Sequence, residues 1–215
     1  MNSSNSYEYV TVIGNSYIFP ISDLLKTLID FPTKGVNQVQ TSVQENGYSV
    51  SVIVLIVLYI ESLSVRIKFE KNDFSNRSAL VFLESLLEET KLIENIKELF
   101  VIRDCIAHNH LWHAKFKFDN EQDEMHLLEA KLNSQFGDKK FSEVINLEDR
   151  TTKELKLNLF TTRINFQDVQ IVLKTLQAFI EYIGKNDFRN LVSFGKVIDK
   201  NGKKFQELIE DVIAV

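Results

Sequence analysis

Residues 99–113 read LFVIRDCIAHNHLWH, with an arginine, an aspartate, a cysteine and three histidines in one apolar-flanked stretch. Two of these, Arg103 and His108, suit one chemistry in particular. A guanidinium presents a rigid fork of donors that fits a phosphate. An imidazole takes up and releases protons near neutral pH. Together they suffice to drive the 2′-hydroxyl of RNA onto its own phosphodiester, the histidine moving protons and the arginine stabilising charge at phosphorus, without a metal. On a helix the two positions lie roughly 140° apart, with little more than one turn between them. The competing structural role of an arginine at a helix end is a dipole contact or a salt bridge, here to Glu61 or Glu98.

The same stretch admits other chemistry. Cys105 and His108 share a helical face, and with His110 and His113 they form a possible metal set, but the paired spacings of zinc sites are missing. Cys105 lies between Ile102 and Ile106, where a buried thiol is inert as a nucleophile. No metal and no cofactor are therefore expected. Trp112 and the phenylalanines after it have the faces to stack on bases, although alternating aromatics usually form core. Lys115 and Lys117 point the other way and suit a phosphate backbone or a solvated face. His126 reads as a surface residue.

The elements that must position these residues are mostly helical. The chain has only two prolines and seven glycines, which favours long uninterrupted elements. A polar, irregular start ends at Pro20, and ISDLLKTLIDF follows as a short amphipathic helix stopped by Pro32 and Gly35. VNQVQTSVQENG is weakly periodic and closes at Gly47. Between Tyr48 and Glu70 both periods fit, alternation being clearest over residues 62–70, but length favours a long helix. Leu80, Leu83 and Leu87 make one stripe, and Ile93, Ile96, Leu99 or Phe100, and then Ile106 make the next, with a break near Thr90. This predicts an antiparallel helical pair whose second member carries Arg103 and His108. Trp112, Ala114, Phe116 and Phe118 then alternate as a strand, and Leu155, Leu157 and Leu159 repeat the pattern. Residues 111–162 are accordingly expected to form a small antiparallel β insertion, a hairpin or meander. Asn165 and Asp168 open a strong helix that closes near Gly184, and KKFQELIEDVIAV is one further helix. The whole of residues 1–215 is expected to form a single domain.

Composition narrows the partners. A formal net charge of −5 gives no general attraction to nucleic acid, so any RNA contact needs a local or assembled cationic cleft. The lone Cys105 excludes an intrachain disulfide. The nine apolar residues Val52 to Ile60 fall short of the about 20 needed to span a bilayer. The opening MNSSNSYEYV lacks the pattern of a leader, so a cytoplasmic protein with no membrane partner is expected.

RDCIAHNHLW resembles the signature of the HEPN domain family, an all-α superfamily of RNA-targeting and defence proteins. The family motif is an arginine, a polar residue, a few further residues and a histidine. Arg103, Asp104 and His108 fill those places late in an amphipathic helix. The resemblance implies a HEPN-like antiparallel helical bundle, acting as a homodimer in which two motifs meet in one cleft. It further implies metal-independent endoribonuclease activity on single-stranded RNA, leaving 2′,3′-cyclic phosphate ends. Arg103 and His108 would be catalytic, and Asp104 would orient one of them. Asn109 and His110 would contact substrate. A toxin or antiviral-defence role, with an antitoxin or defence-system protein as partner, follows by analogy. His110 stands where the toxins paired with nucleotidyltransferase antitoxins carry a tyrosine, so nucleotidylation there is not implied. The alternative within the family is a non-catalytic dimeric module that binds nucleotide, RNA or a protein. A purely structural helical scaffold is the third possibility.

Overall fold

The computed structural model describes residues 14–31, 39–108, 112–119, 124–132, 139–186 and 202–215. Among them the architecture is mainly helical, with seven α-helices and two small antiparallel sheets. One continuous hydrophobic cluster draws residues from α1 (Gly14–Ile29), α2 (Val43–Glu70), α3 (Ala79–Leu86), α4 (Thr90–His108), α6 (Phe166–Lys185) and α7 (Phe205–Ala214).

The long apolar stretch is a helix, and α2 is the axle of the molecule. It packs against α1, α3, α4 and α6. Ile53, Ile56, Val57 and Ile60 are fully buried, which explains the β-branched content: packing from several sides outweighs strand propensity. By length and composition α2 is apolar enough to cross a membrane, and half of that stretch is buried inside the bundle. Ser42 caps it by accepting from the Glu45 N–H at 3.2 Å, so the helix begins before Gly47 and runs through it. The buried Glu45 carboxylate then ties α2 to α6, accepting from the Thr41 hydroxyl at 2.9 Å and the Phe166 N–H at 3.1 Å.

The first helix also departs from expectation. It starts at Gly14 and contains Pro20, which the sequence reading placed at its boundary. Ile18, Ile21, Leu25 and Leu28 are all buried on one stripe that straddles the proline, and their burial offsets the lost backbone hydrogen bond. Pro32 and Gly35 lie outside the described residues.

Both helices of the expected pair form, α3 and α4, joined by residues 87–89 and packed on each other. The insertion is only partly so. β1 (Trp112–Asp119) pairs with β2 (Glu124–Leu132) as a hairpin. The segment around Leu155, Leu157 and Leu159 is not a strand. Instead a short α5 (Lys139–Val144) leads into the two-residue pair β3 (Ile145–Asn146) and β4 (Thr151–Thr152), and Asn158 makes one isolated bridge to Thr151. Arg150 and Lys156 adopt φ of 57° and 60°, which no continuous ladder tolerates. Leu157 and Leu159 are nevertheless fully buried, so their alternation reflects core packing of an irregular segment.

α6 matches its sequence closely. The Asn165 side chain accepts from the Gln167 N–H at 2.8 Å, and Asp168 accepts from the Asn165 N–H at 3.0 Å, completing a capping box. Asp168 is buried, and that burial pushes its carboxyl upward against the pull of its Asn158 and Asn165 donors. Gly184 falls inside the helix, which closes at Asn186.

Candidate functional site

α4 carries the motif at its C-terminal end. Its inner face, Leu92, Ile96, Leu99 and Ile102, is sealed into the core, and Cys105 is fully buried there as a free thiol. That orientation turns Arg103 and Asp104 toward the boundary with solvent, both partly buried. Arg103 is held on three sides. Its Nε donates to Asp104 Oδ1 at 2.9 Å and its Nη1 to Glu61 Oε2 at 3.0 Å, while the guanidinium lies 5.2 Å from the centre of the Phe100 ring. Charge-assisted bonds of this length fix the plane of the guanidinium, whose side chain remains 22% exposed.

Of the two carboxylates proposed as structural partners, Glu61 is the one that reaches Arg103. Glu98 is buried one turn and a half earlier and accepts the Glu154 and Leu155 N–H groups at 2.7 and 2.8 Å. It thereby fastens the irregular segment after β4 to α4. Phe100 was not foreseen as a neighbour of Arg103; its place three residues earlier on the same helix was the available signal.

His108 is the last residue of α4 and is exposed. Asn109 and His110 lie outside the described residues. The local result is a guanidinium clamped at the surface about one and a half turns before an exposed imidazole. Its two carboxylate partners outweigh it in charge, so Glu61, Asp104 and Arg103 together carry one formal negative charge.

The other candidates separate from this cluster. Among the described residues no three of His, Cys, Asp and Glu gather as a metal site. His113 is exposed on β1 and His126 half-buried on β2, paired across the hairpin with Lys131 and Lys117 respectively as neighbours in register. Trp112 is half-buried and donates its indole N–H to the Leu159 carbonyl at 3.0 Å, which makes it the anchor of the hairpin's root. Lys115 and Lys131 both pair with Glu129, so part of the hairpin's polar face is internally neutralised.

No family model, no curated protein and no solved structure matches the chain.

Proposed function

We propose that this protein is a HEPN-type, metal-independent endoribonuclease, acting in the cytoplasm on single-stranded RNA in a cleft shared by two copies. A toxin or defence-effector role, with a protein partner that restrains it, belongs to the same reading. The observation that carries it is the Arg103–Asp104 hydrogen bond at 2.9 Å. The polar residue of the motif orients the arginine, and the histidine of the motif ends the same helix in solvent. His108 removes the proton of the attacking 2′-hydroxyl, and the 2′-oxygen bonds to phosphorus. Arg103 stabilises the extra charge on the phosphoryl oxygens. The bond to the 5′-oxygen breaks, and the second copy's histidine protonates that leaving group. The products are a 2′,3′-cyclic phosphate and a 5′-hydroxyl. For Arg103 to reach a phosphate, the anion must compete with Glu61, the more exposed and more remote of its two partners.

The Glu61 bond also favours a second reading. A guanidinium bridging α2 and α4 with excess carboxylate around it also suits a structural clamp in a non-catalytic binding module or scaffold. The two readings diverge in one experiment, incubation of the purified chain with single-stranded RNA in EDTA. On the nuclease reading Arg103→Ala and His108→Ala each reduce cleavage by about 10²–10⁴-fold, while Glu61→Gln leaves it equal or higher. On the clamp reading the wild type does not cleave. Glu61→Gln and Arg103→Ala then lower stability by similar amounts, with a coupling of about 0.5–1 kcal/mol in the double-mutant cycle.

A further inference from the structure

Arg103 is held by groups of two origins. Asp104 and Phe100 lie on its own helix, next to it and one turn earlier, and meet its Nε at 2.9 Å and its face at 5.2 Å. Both move with α4. Glu61 comes from α2, 42 residues away in sequence, and accepts from Nη1 at 3.0 Å. Its side chain is 38% exposed, against 22% for Arg103. An ion pair this open to water adds little net stability, because solvent and salt screen it. The local groups therefore hold the plane of the guanidinium, and the distant carboxylate is the partner that leaves most easily.

The geometry of the fork gives Glu61 a second effect. A guanidinium grips a phosphate at two points along one edge, Nε with Nη2 or Nη1 with Nη2. Asp104 holds the first edge at Nε. A phosphate must use the second, and Glu61 stands at its Nη1. Two acceptors on one amino nitrogen, each about 2.9 Å from it and about 120° apart, lie about 5 Å from each other. A phosphodiester oxygen arriving on that edge thus meets a second anion at once. With Asp104 included, two carboxylates face one guanidinium, so the closed arrangement repels phosphate.

We propose that Glu61 is an autoinhibitory gate on Arg103. In the free chain its carboxylate closes the approach of a phosphodiester. A nucleic-acid strand binds by displacing it, while Asp104 and Phe100 keep the guanidinium in place. The inference rests on the proposed function for the identity of the site and adds the control of that site. It assigns the contact between α2 and α4 to regulation, so removing the Glu61 charge strengthens strand binding, and it does so only through Arg103.

The test is fluorescence anisotropy on the full chain, at low ionic strength with EDTA, with a fluorescein-labelled 2′-O-methyl oligouridylate as the probe. That strand carries phosphodiesters but no free 2′-hydroxyl, so binding is read without cleavage. Glu61→Gln and Glu61→Ala are each expected to bind it at least about threefold tighter than the wild type, the gain from losing one like charge at about 5 Å even in the dielectric of water. Adding Arg103→Ala to either variant removes the gain. Two different substitutions at a partly exposed position keep the proposal testable if one of them misfolds. Glu181→Gln removes an equal charge from the exposed face of α6 and leaves affinity as in the wild type. Unchanged or weaker binding by both Glu61 variants overturns the gate, as does a gain that survives Arg103→Ala or that Glu181→Gln reproduces. Absence of binding by every variant overturns it too. Cleavage of unmodified RNA separates the two proposals. Probe binding gated by Glu61 without cleavage by any variant removes the nuclease and keeps the gate, whereas Arg103-dependent cleavage with probe affinity indifferent to Glu61 does the reverse.

Discussion

At the residue scale, the side chains that decide local energetics are those with too many or too few partners. Arg103 has two carboxylates and a ring; Tyr59, fully buried in α2, has a hydroxyl without a hydrogen-bond partner. A buried hydroxyl that makes no bond carries its desolvation cost uncompensated. Tyr59→Phe is therefore expected to raise stability by about 1 kcal/mol, read as a higher midpoint in urea with an unchanged slope. Asp73 is the opposite case. The hydroxyl and then the N–H of Ser75, followed by Arg77, hold its carboxyl down at about 2 against an ordinary 3.8. Since the folded value is depressed, the ionised form is favoured by folding. That contribution is complete above 3.8 and fades as pH falls toward about 2. A carboxyl titration followed by NMR should place the Asp73 midpoint near there, and Ser75→Ala should move it upward. An ordinary midpoint in the wild type would refute the assignment.

At the element scale, local signals and long-range packing contribute unequally from one helix to the next. α6 declares itself through its own ends. Asn165 and Asp168 satisfy first-turn donors, so Asn165→Ala should cost about 1 kcal/mol and fray the helix start, seen as faster amide exchange at Gln167. Slow exchange there after the substitution would show that the cap is dispensable. α1 is the contrary case, a helix that crosses Pro20 because four buried side chains on either side of it hold the chain against the core. The hairpin depends on its root. Trp112 is its indole tie to the Leu159 carbonyl, and Trp112→Ala should loosen the hairpin at a cost of about 1–3 kcal/mol. Trypsin would then cut first at Lys115 or Lys117; unchanged digestion would refute the anchor.

At the scale of the whole molecule, one helix organises the rest. α2 contacts α1, α3, α4 and α6, and it presents Glu61 to Arg103 on the way. Its apolar character follows from that central place. Ile56 is fully buried at its middle, so Ile56→Ala should destabilise the entire bundle by about 2–5 kcal/mol. Circular dichroism and core fluorescence should shift together, since one cluster links the helices; separate transitions would deny α2 this role.

What the chain announced by itself was whatever depends on near neighbours. The apolar repeats of α3, α4 and α6, the Asn165–Asp168 cap, the alternation of β1 and the crowding of Arg103, Asp104 and His108 at a helix end are all set within a few residues. Period and capping are local physics, so they are visible in a linear text. Tertiary structure decided the rest. It carried α1 through Pro20, denied Leu155–Leu159 a strand, and chose Glu61 over Glu98 for Arg103, across 42 residues of separation. Each of those outcomes turns on burial and on partners distant in sequence, which no local pattern encodes.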